Sequence, residues 1–258
     1  MLSALALDGR IKLSFEVAEY YRQYLRWKHT SADLMRDRKG RWWLHVVMET
    51  DTPKCEPINQ VVGVDLGIAT PAVDSNGNKY GSGHWKQVED RTFELRRRLQ
   101  SKGTKSAKRH LKKLSGRQKR FRKDCDHVLS KCLVQFVESG AILVFEDLTN
   151  IRGRAKIRKA QRRRLHGWSF AQFQVFVIYK AEANGVKVGF VDPRYTSQKC
   201  SQCGHVERGN RPTQADFRCN KCGFECHADY NASMNIRDDF LRHRAAVNQP
   251  IVSADNFG

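Results

Sequence analysis

Two Cys-x2-Cys pairs constrain this chain more than any other feature. Cys200 and Cys203 form the first pair, Cys219 and Cys222 the second, and fifteen residues separate them. A tetrahedral Zn²⁺ takes four soft ligands, and each Cys-x2-Cys turn delivers two of them from a tight knuckle. Gly204 and Gly223 directly follow the second cysteine of each pair, where a knuckle needs backbone angles that glycine adopts freely. Four thiolates close the coordination sphere, so the expected zinc is structural and not catalytic. Two redox-active pairs are the competing reading, but the strand–helix–strand setting of thioredoxin-like motifs is missing. The remaining cysteines, Cys55, Cys125, Cys132 and Cys226, have no paired spacing and read as reduced thiols, with Cys226 lying close to the ribbon.

The 258 residues suffice for one large domain or two modest ones with a real core. Residues 1–53 are rich in short strand signals. IKLSF and RWWLHVVMET alternate apolar and polar residues as half-buried strands do, with a hairpin turn at DRKGRW. This segment reads as the end of a β-rich module. After the linker DTPKCEPINQ, the apolar run VVGVDLG suits a central strand buried on both faces. IATPAVDSNGNKYGS then turns at Ser-Asn-Gly between two short β runs, making a three-stranded antiparallel start. Residues 84–139 read as two long helices joined at Gly103 and Thr104. AILVFEDL is a second buried strand. WSFAQFQVFVIYKAEANG is a helix stopped by Asn184 and Gly185, and VKVGFVD is another strand. A last helix is expected from about Asp229 to His243, followed by a tail. The expected organisation is 1–53, 54–196, the ribbon at 197–226, 227–243 and a tail at 244–258, in an α/β fold.

Lys and Arg number 47 against 27 acids, a net charge of +20. Such an excess speaks to partners rather than fold, and nucleic acid is the obvious polyanion because each neutralised phosphate releases counterions. The first helical pair holds a long stretch dense in Lys and Arg with a single acid, from Glu94 to Lys123. Most charge runs are solvated helix faces; here one sign is too dominant for intrahelical pairing, and a phosphate-facing surface is expected. The candidates are Arg96, Arg97, Arg98, Lys112, Lys113 and Arg120, with Arg162, Arg163 and Arg164 in a later basic segment. Phe121 and Trp168 stand near these patches, where stacking on bases competes with ordinary packing. No stretch approaches the roughly 20 apolar residues of a membrane span. MLSALALDGRIKLSF lacks a basic region followed by a long apolar run, so no signal peptide is read and the expected location is the cytoplasm.

Three acids stand out by placement. Asp65 ends the first apolar strand, Glu146 ends the second, and Asp229 opens the last helix after the ribbon. Carboxylates at the ends of adjacent buried strands converge at one edge of a sheet, and oxygen ligands suit Mg²⁺ or Mn²⁺. Two such ions activate a water and stabilise the leaving oxygen in phosphodiester cleavage. Each acid also has a plainer reading. Asp65 suits a turn cap, Asp147 competes with Glu146, and Asp229 suits a helix N-cap.

At these residues a resemblance enters. VVGVDLGIATPAV, ILVFEDLTNIRG, VDPRYTSQKCSQCG and FRCNKCGFECHADYNASMNI, in that order, resemble the OrfB/TnpB family of transposon-encoded proteins, which is related to type V CRISPR effectors. The resemblance runs from about Val61 to Ile236. It implies an RNase H/RuvC-like nuclease fold with the zinc ribbon inserted before the third acid. It further implies Asp65, Glu146 and Asp229 as catalytic acids, and cleavage of target DNA directed by a guide RNA beside a short motif. Such proteins usually begin with a β-barrel module interrupted by a helical recognition domain. Residues 1–53 resemble only the barrel's closing strands, so the chain reads as shortened at its N-terminus. A non-cleaving nucleic-acid-binding remnant or repressor is the alternative function.

Overall fold

The computed structural model describes residues 1–53, 60–67, 70–148 and 170–247. Residues divide into two compact units, Met1–Thr52 and Pro53–Gly258.

In the first unit, β1 (Leu2–Ala6) pairs antiparallel with β2 (Gly9–Leu13), and a short helix α1 spans Glu19–Arg22. β3 (Lys28–Arg36) pairs antiparallel with β4 (Trp42–Glu49). In β4 Leu44, Val46 and Met48 are half-buried while their neighbours are exposed, the alternation the sequence predicts. Asp37 clasps the DRKGRW turn. One carboxylate oxygen accepts from the backbone N–H of Lys39 at 2.8 Å and of Arg41 at 3.0 Å, and the other accepts from Arg41 Nε at 2.8 Å.

The second unit is built on a five-stranded sheet in the order β7-β6-β5-β8-β9. Its strands are β5 (Val61–Asp65), β6 (Ala72–Asp74), β7 (Lys79–Tyr80), β8 (Ile142–Glu146) and β9 (Lys187–Val191). β5, β6 and β7 run antiparallel in sequence, whereas β8 joins β5 and β9 joins β8 in parallel. Asp74 fixes the β6–β7 turn by accepting from the backbone N–H of Asn76 and Asn78 and from the Tyr80 hydroxyl.

Helices cover both faces. α2 (Gly83–Lys102) and α3 (Lys105–Gln135) form a hairpin. Gly103 takes the left-handed conformation at φ 64°, and the Thr104 hydroxyl caps α3 by accepting from Ala107 N at 3.1 Å. These are the stop and start signals expected at a helix junction. α4 (Phe170–Ala183) buries Phe173, Val177 and Ala181, a helical stripe, with Leu129, Leu133 and Val134 of α3. They pack against Val62, Val64, Leu143 and Phe145 of the sheet. α5 (Ala228–Val247) packs on the opposite face, where Ile236 and Phe240 meet Val61, Ile142, Val144 and Val191. α5 crosses β5 at Gly63, where a Cβ would lie 2.2 Å from the Ser233 carbonyl oxygen and 2.6 Å from the Arg237 nitrogen.

α5 continues four residues past the expected His243, because Arg244 to Val247 contain no helix breaker and Asn248 and Pro250 come only afterwards. Residues 54–59 of the predicted linker, the basic segment with Arg162, Arg163 and Arg164, Trp168, and the tail from residue 248 lie outside the described residues. Among the described residues no helix is long and apolar enough to cross a membrane.

Candidate metal centres and nucleic-acid surface

Strand parity decides which side chains meet. On β5, Val62 and Val64 face α3 and α4, so Val61, Gly63 and Asp65 face α5. On β8, Leu143 and Phe145 face α3 and α4, which leaves Ile142, Val144 and Glu146 on the α5 side. The two strands are parallel neighbours with Val64 opposite Phe145. Asp65 and Glu146 therefore stand side by side at the carboxyl ends of adjacent strands. Asp229, in the first turn of α5, is buried at 8% exposure and lies close to this edge: a Cβ on Gly67 would come within 3.9 Å of its carboxylate.

Electrostatics tie the three acids together. Burial holds the Asp65 carboxyl well above the ordinary value, and the charges of Glu146 and Asp229 push it further. Burial also raises Glu146, opposed by a hydrogen bond from the Thr196 hydroxyl and by the charge of Arg211. Glu146 is half-buried and its charge acts on Asp65, whereas Asp147 is exposed. Arg211 comes from the ribbon. Its Nη2 lies 3.1 Å from Asp229 Oδ1 and 2.6 Å from the Gln214 carbonyl, and its charge lowers both Asp65 and Glu146. The His227 ring caps α5, accepting from Asp229 N at 3.3 Å. Clustered carboxylates repel one another and a divalent cation relieves that repulsion, and an all-oxygen donor set fits Mg²⁺ or Mn²⁺.

The four thiols form the tightest potential metal cluster among the described residues, with Sγ atoms of Cys200, Cys203, Cys219 and Cys222 all within 4.8 Å of one another. Cys200 and Cys222 Sγ are 3.7 Å apart, and Cys203 and Cys219 Sγ are 3.6 Å apart. A zinc–sulfur bond of about 2.3 Å sets a tetrahedral edge of about 3.8 Å, so the four sulfurs fit the ion. The knuckles are near copies. Gly204 N donates to the Cys200 carbonyl and Gly223 N to the Cys219 carbonyl, each at 2.9 Å. Their φ angles are 73° and 74°, and a Cβ at either position would meet open space, so conformation alone requires glycine there. β10 (Asp216–Arg218) and β11 (Glu225–His227) pair behind the second knuckle. Phe217, Ala228, Phe224 and Cys226 pack with the buried Cys200 and Cys219. Asn210, wholly buried, stitches the knuckles together: its Nδ2 donates to the Gln198 and His205 carbonyls, and its Oδ1 accepts from Asn220 N.

On the helical hairpin, Arg97, Arg98, Lys112, Lys113 and Arg120 are exposed. Arg97 pairs with Glu94 at 3.0 Å. Arg96 is half-buried and donates to Gln118 Oε1 at 3.2 Å across the hairpin, so part of its role is internal. Phe121 is half-buried.

With this geometry in view, residues 45–152 match the family OrfB_IS605, described as a probable transposase, and residues 170–236 match the Cas12f1-like TNB domain. These two matched segments, in this order, are what the chain shares with OrfB_IS605 and Cas12f1-like proteins. It is 34% identical over 219 residues to the CRISPR-associated endodeoxyribonuclease Cas12f1 of Sulfoacidibacillus thermotolerans, an alignment covering 78% of this chain and 50% of that protein. It is 34% identical over 156 residues to the TnpB-like protein MJ0751 of Methanocaldococcus jannaschii, covering 58% of this chain and 55% of that one. It is 28% identical to the putative RNA-guided DNA endonuclease InsQ of Escherichia coli (strain K12), over 76% of this chain and 53% of InsQ. The chain thus spans about half the length of these curated relatives. Among solved structures, a chain of a Cas12f1–sgRNA–target DNA complex matches with a TM-score of 0.55 at 24% identity, over 81% of this chain and 56% of that one. A chain of a CRISPR-Cas12f ternary complex matches with 0.57 at 21% identity, over 91% and 50%. At these identities the likeness is one of fold.

Arg211 and Thr196 are, with His227, polar residues at the acids that the sequence does not single out. Thr196 and Arg211 sit in loops of ordinary composition, and nothing in one sequence says that either reaches across to a carboxylate.

Proposed function

We propose that this chain is the nuclease part of a metal-dependent, RNA-guided DNA endonuclease. The observation that carries the reading is the convergence of Asp65, Glu146 and Asp229 at one sheet edge with charges that act on one another. The sheet order, with its antiparallel β6 and β7 and parallel β8 and β9, supports an RNase H/RuvC-like fold for the second unit. The two hairpins of residues 1–53 are read as strands of a barrel-type module. The names of the relatives, an endodeoxyribonuclease and RNA-guided DNA endonucleases, support guide RNA and target DNA as partners.

In this reading Asp65, Glu146 and Asp229 hold magnesium or manganese. Bound there, the ions supply activation of the attacking water and stabilisation of the leaving oxygen. The chain's own groups do the rest. The partly buried setting of Asp65 and Glu146 reduces the screening of their charge by bulk water. Arg211 places a guanidinium beside Asp229, where it limits the repulsion among the acids and meets an incoming phosphate with planar, charge-assisted donors. The four cysteines hold zinc, which fixes the ribbon that carries Arg211. The exposed Arg97, Arg98, Lys112, Lys113 and Arg120 of the helical hairpin bind nucleic-acid backbone.

The test begins with the protein purified from cells and the sequencing of its copurified RNA. A discrete bound RNA, with Mg²⁺-dependent cutting of DNA matched to it, supports the reading. Retained RNA and DNA binding with no cutting under any divalent ion would replace it with the non-cleaving alternative.

A further inference from the structure

The segment between β9 and the ribbon is tied to α5 by polar side chains that solvent scarcely reaches. Thr196 is 2% exposed, Asn231 0% and Asn235 1%. Side chains of this kind are buried only with their hydrogen bonds made, and here the partners are specific. Asn235 Nδ2 donates to the Thr196 carbonyl at 2.8 Å and to the Lys199 carbonyl at 2.6 Å. Asn231 Nδ2 donates to the Lys199 carbonyl at 2.7 Å, while its Oδ1 accepts from Ser201 N at 3.0 Å. The backbone turns at Tyr195, which holds φ 63°, a conformation that a non-glycine residue keeps only when its surroundings impose it. Held in this frame, the Thr196 hydroxyl donates to Glu146 Oε1. The Pro193 carbonyl also lies 3.2 Å from the same hydroxyl. Asp229 belongs to the same helix as Asn231 and Asn235.

We propose that Thr196 is a positioning residue for Glu146. Its hydroxyl fixes the carboxylate, and Asn235 and Asn231 fix the backbone that carries it. The inference rests on reading the three acids as a divalent-metal site. The physical reason is that a carboxylate ligand is oriented by the hydrogen bond its other lone pairs accept, and removing such a partner typically weakens metal affinity tenfold or more. One helix thereby sets two of the acids: Asp229 directly, and Glu146 through Asn235 and Thr196.

The test is Mn²⁺ binding to the full, zinc-loaded chain, followed by electron paramagnetic resonance without nucleic acid. Thr196→Val keeps the side-chain volume and deletes the donor; Thr196→Ser keeps the donor. Thr196→Val should weaken Mn²⁺ binding about tenfold while Thr196→Ser stays within about twofold of wild type, both retaining zinc and the thermal transition. Equal binding by Thr196→Val and wild type overturns the inference, as does equal weakening by Val and Ser. If Thr196→Val loses its zinc or unfolds, Thr196→Ala takes its place; if both unfold, Thr196 serves folding and the inference falls. Asp65→Ala separates this from the underlying reading. If Asp65→Ala abolishes Mn²⁺ binding and Thr196→Val does not weaken it, only the positioning role fails. If Asp65→Ala binds Mn²⁺ as wild type does, the acid site itself is misassigned.

Discussion

Asp126 on α3 is 7% exposed, and its Oδ2 has no hydrogen-bond partner among the described residues. Arg122, one turn away, is paired with Glu89 of α2 at 3.0 Å. Burial pushes the Asp126 carboxyl up to about 7, with the charge of Arg122 lowering it and that of Glu89 raising it. The folded state therefore keeps a proton that the unfolded chain releases near 3.8. Between those values the native state binds more protons than the unfolded state, so stability falls as pH rises, and above about 7 the full penalty is present. A gap of about three pH units corresponds to roughly 4 kcal/mol, an upper figure for a single site. Asp126→Asn keeps the shape and removes the titration. Urea unfolding of the zinc-loaded protein from pH 5 to pH 8 should show the variant gaining about 3 kcal/mol on wild type across the interval, with an unchanged denaturant slope. Parallel pH profiles, or a variant less stable than wild type at pH 8, would refute the reasoning.

Other perturbations probe separate parts of the structure. Gly63→Ala drives a methyl into the backbone of α5, 2.2 Å from the Ser233 oxygen, and should destabilise by about 3 kcal/mol or more; a urea midpoint within 1 M of wild type, about 2 kcal/mol at ordinary slopes, would contradict the close approach. Cys222→Ser changes an exposed thiol, so its effect reports metal rather than packing. It should lose zinc by elemental analysis and raise amide exchange across the ribbon, because zinc affinity there is folding free energy; an ordered ribbon without zinc would count against the site. Affinity for RNA or DNA should fall steeply with salt, and replacing Lys112 and Lys113 by Ala should reduce the log–log slope by about 2. An unchanged slope would remove that pair from the interface.

The sequence carried the helix junction because Gly103 and Thr104 are local signals: one residue adopts φ 64° and the other caps the next helix. It carried the sheet because VVGVD and ILVFE are short apolar runs whose parity assigns Asp65 and Glu146 to one face. It carried the thiol cluster because two knuckles need only near neighbours. It did not carry Thr196, Asn210 or Arg211, whose partners lie 50, up to 12, and 18 residues away. Such contacts depend on how segments distant in sequence fold back on one another, which no local pattern encodes. Arg96 shows the converse. Its place in a basic run reads as surface, but helix geometry turns it toward Gln118.

The central claim is that Asp65, Glu146 and Asp229 cut DNA together. The direct measurement is cleavage, in Mg²⁺, of DNA complementary to the copurified RNA, comparing wild type with Asp229→Ala at equal bound RNA. Asp229 is the informative member because its helix N-terminal position has a purely structural explanation. The account predicts that wild type cuts and Asp229→Ala binds the same target without cutting, since the affinity comes from basic residues elsewhere. Equal cutting by the two proteins would contradict it.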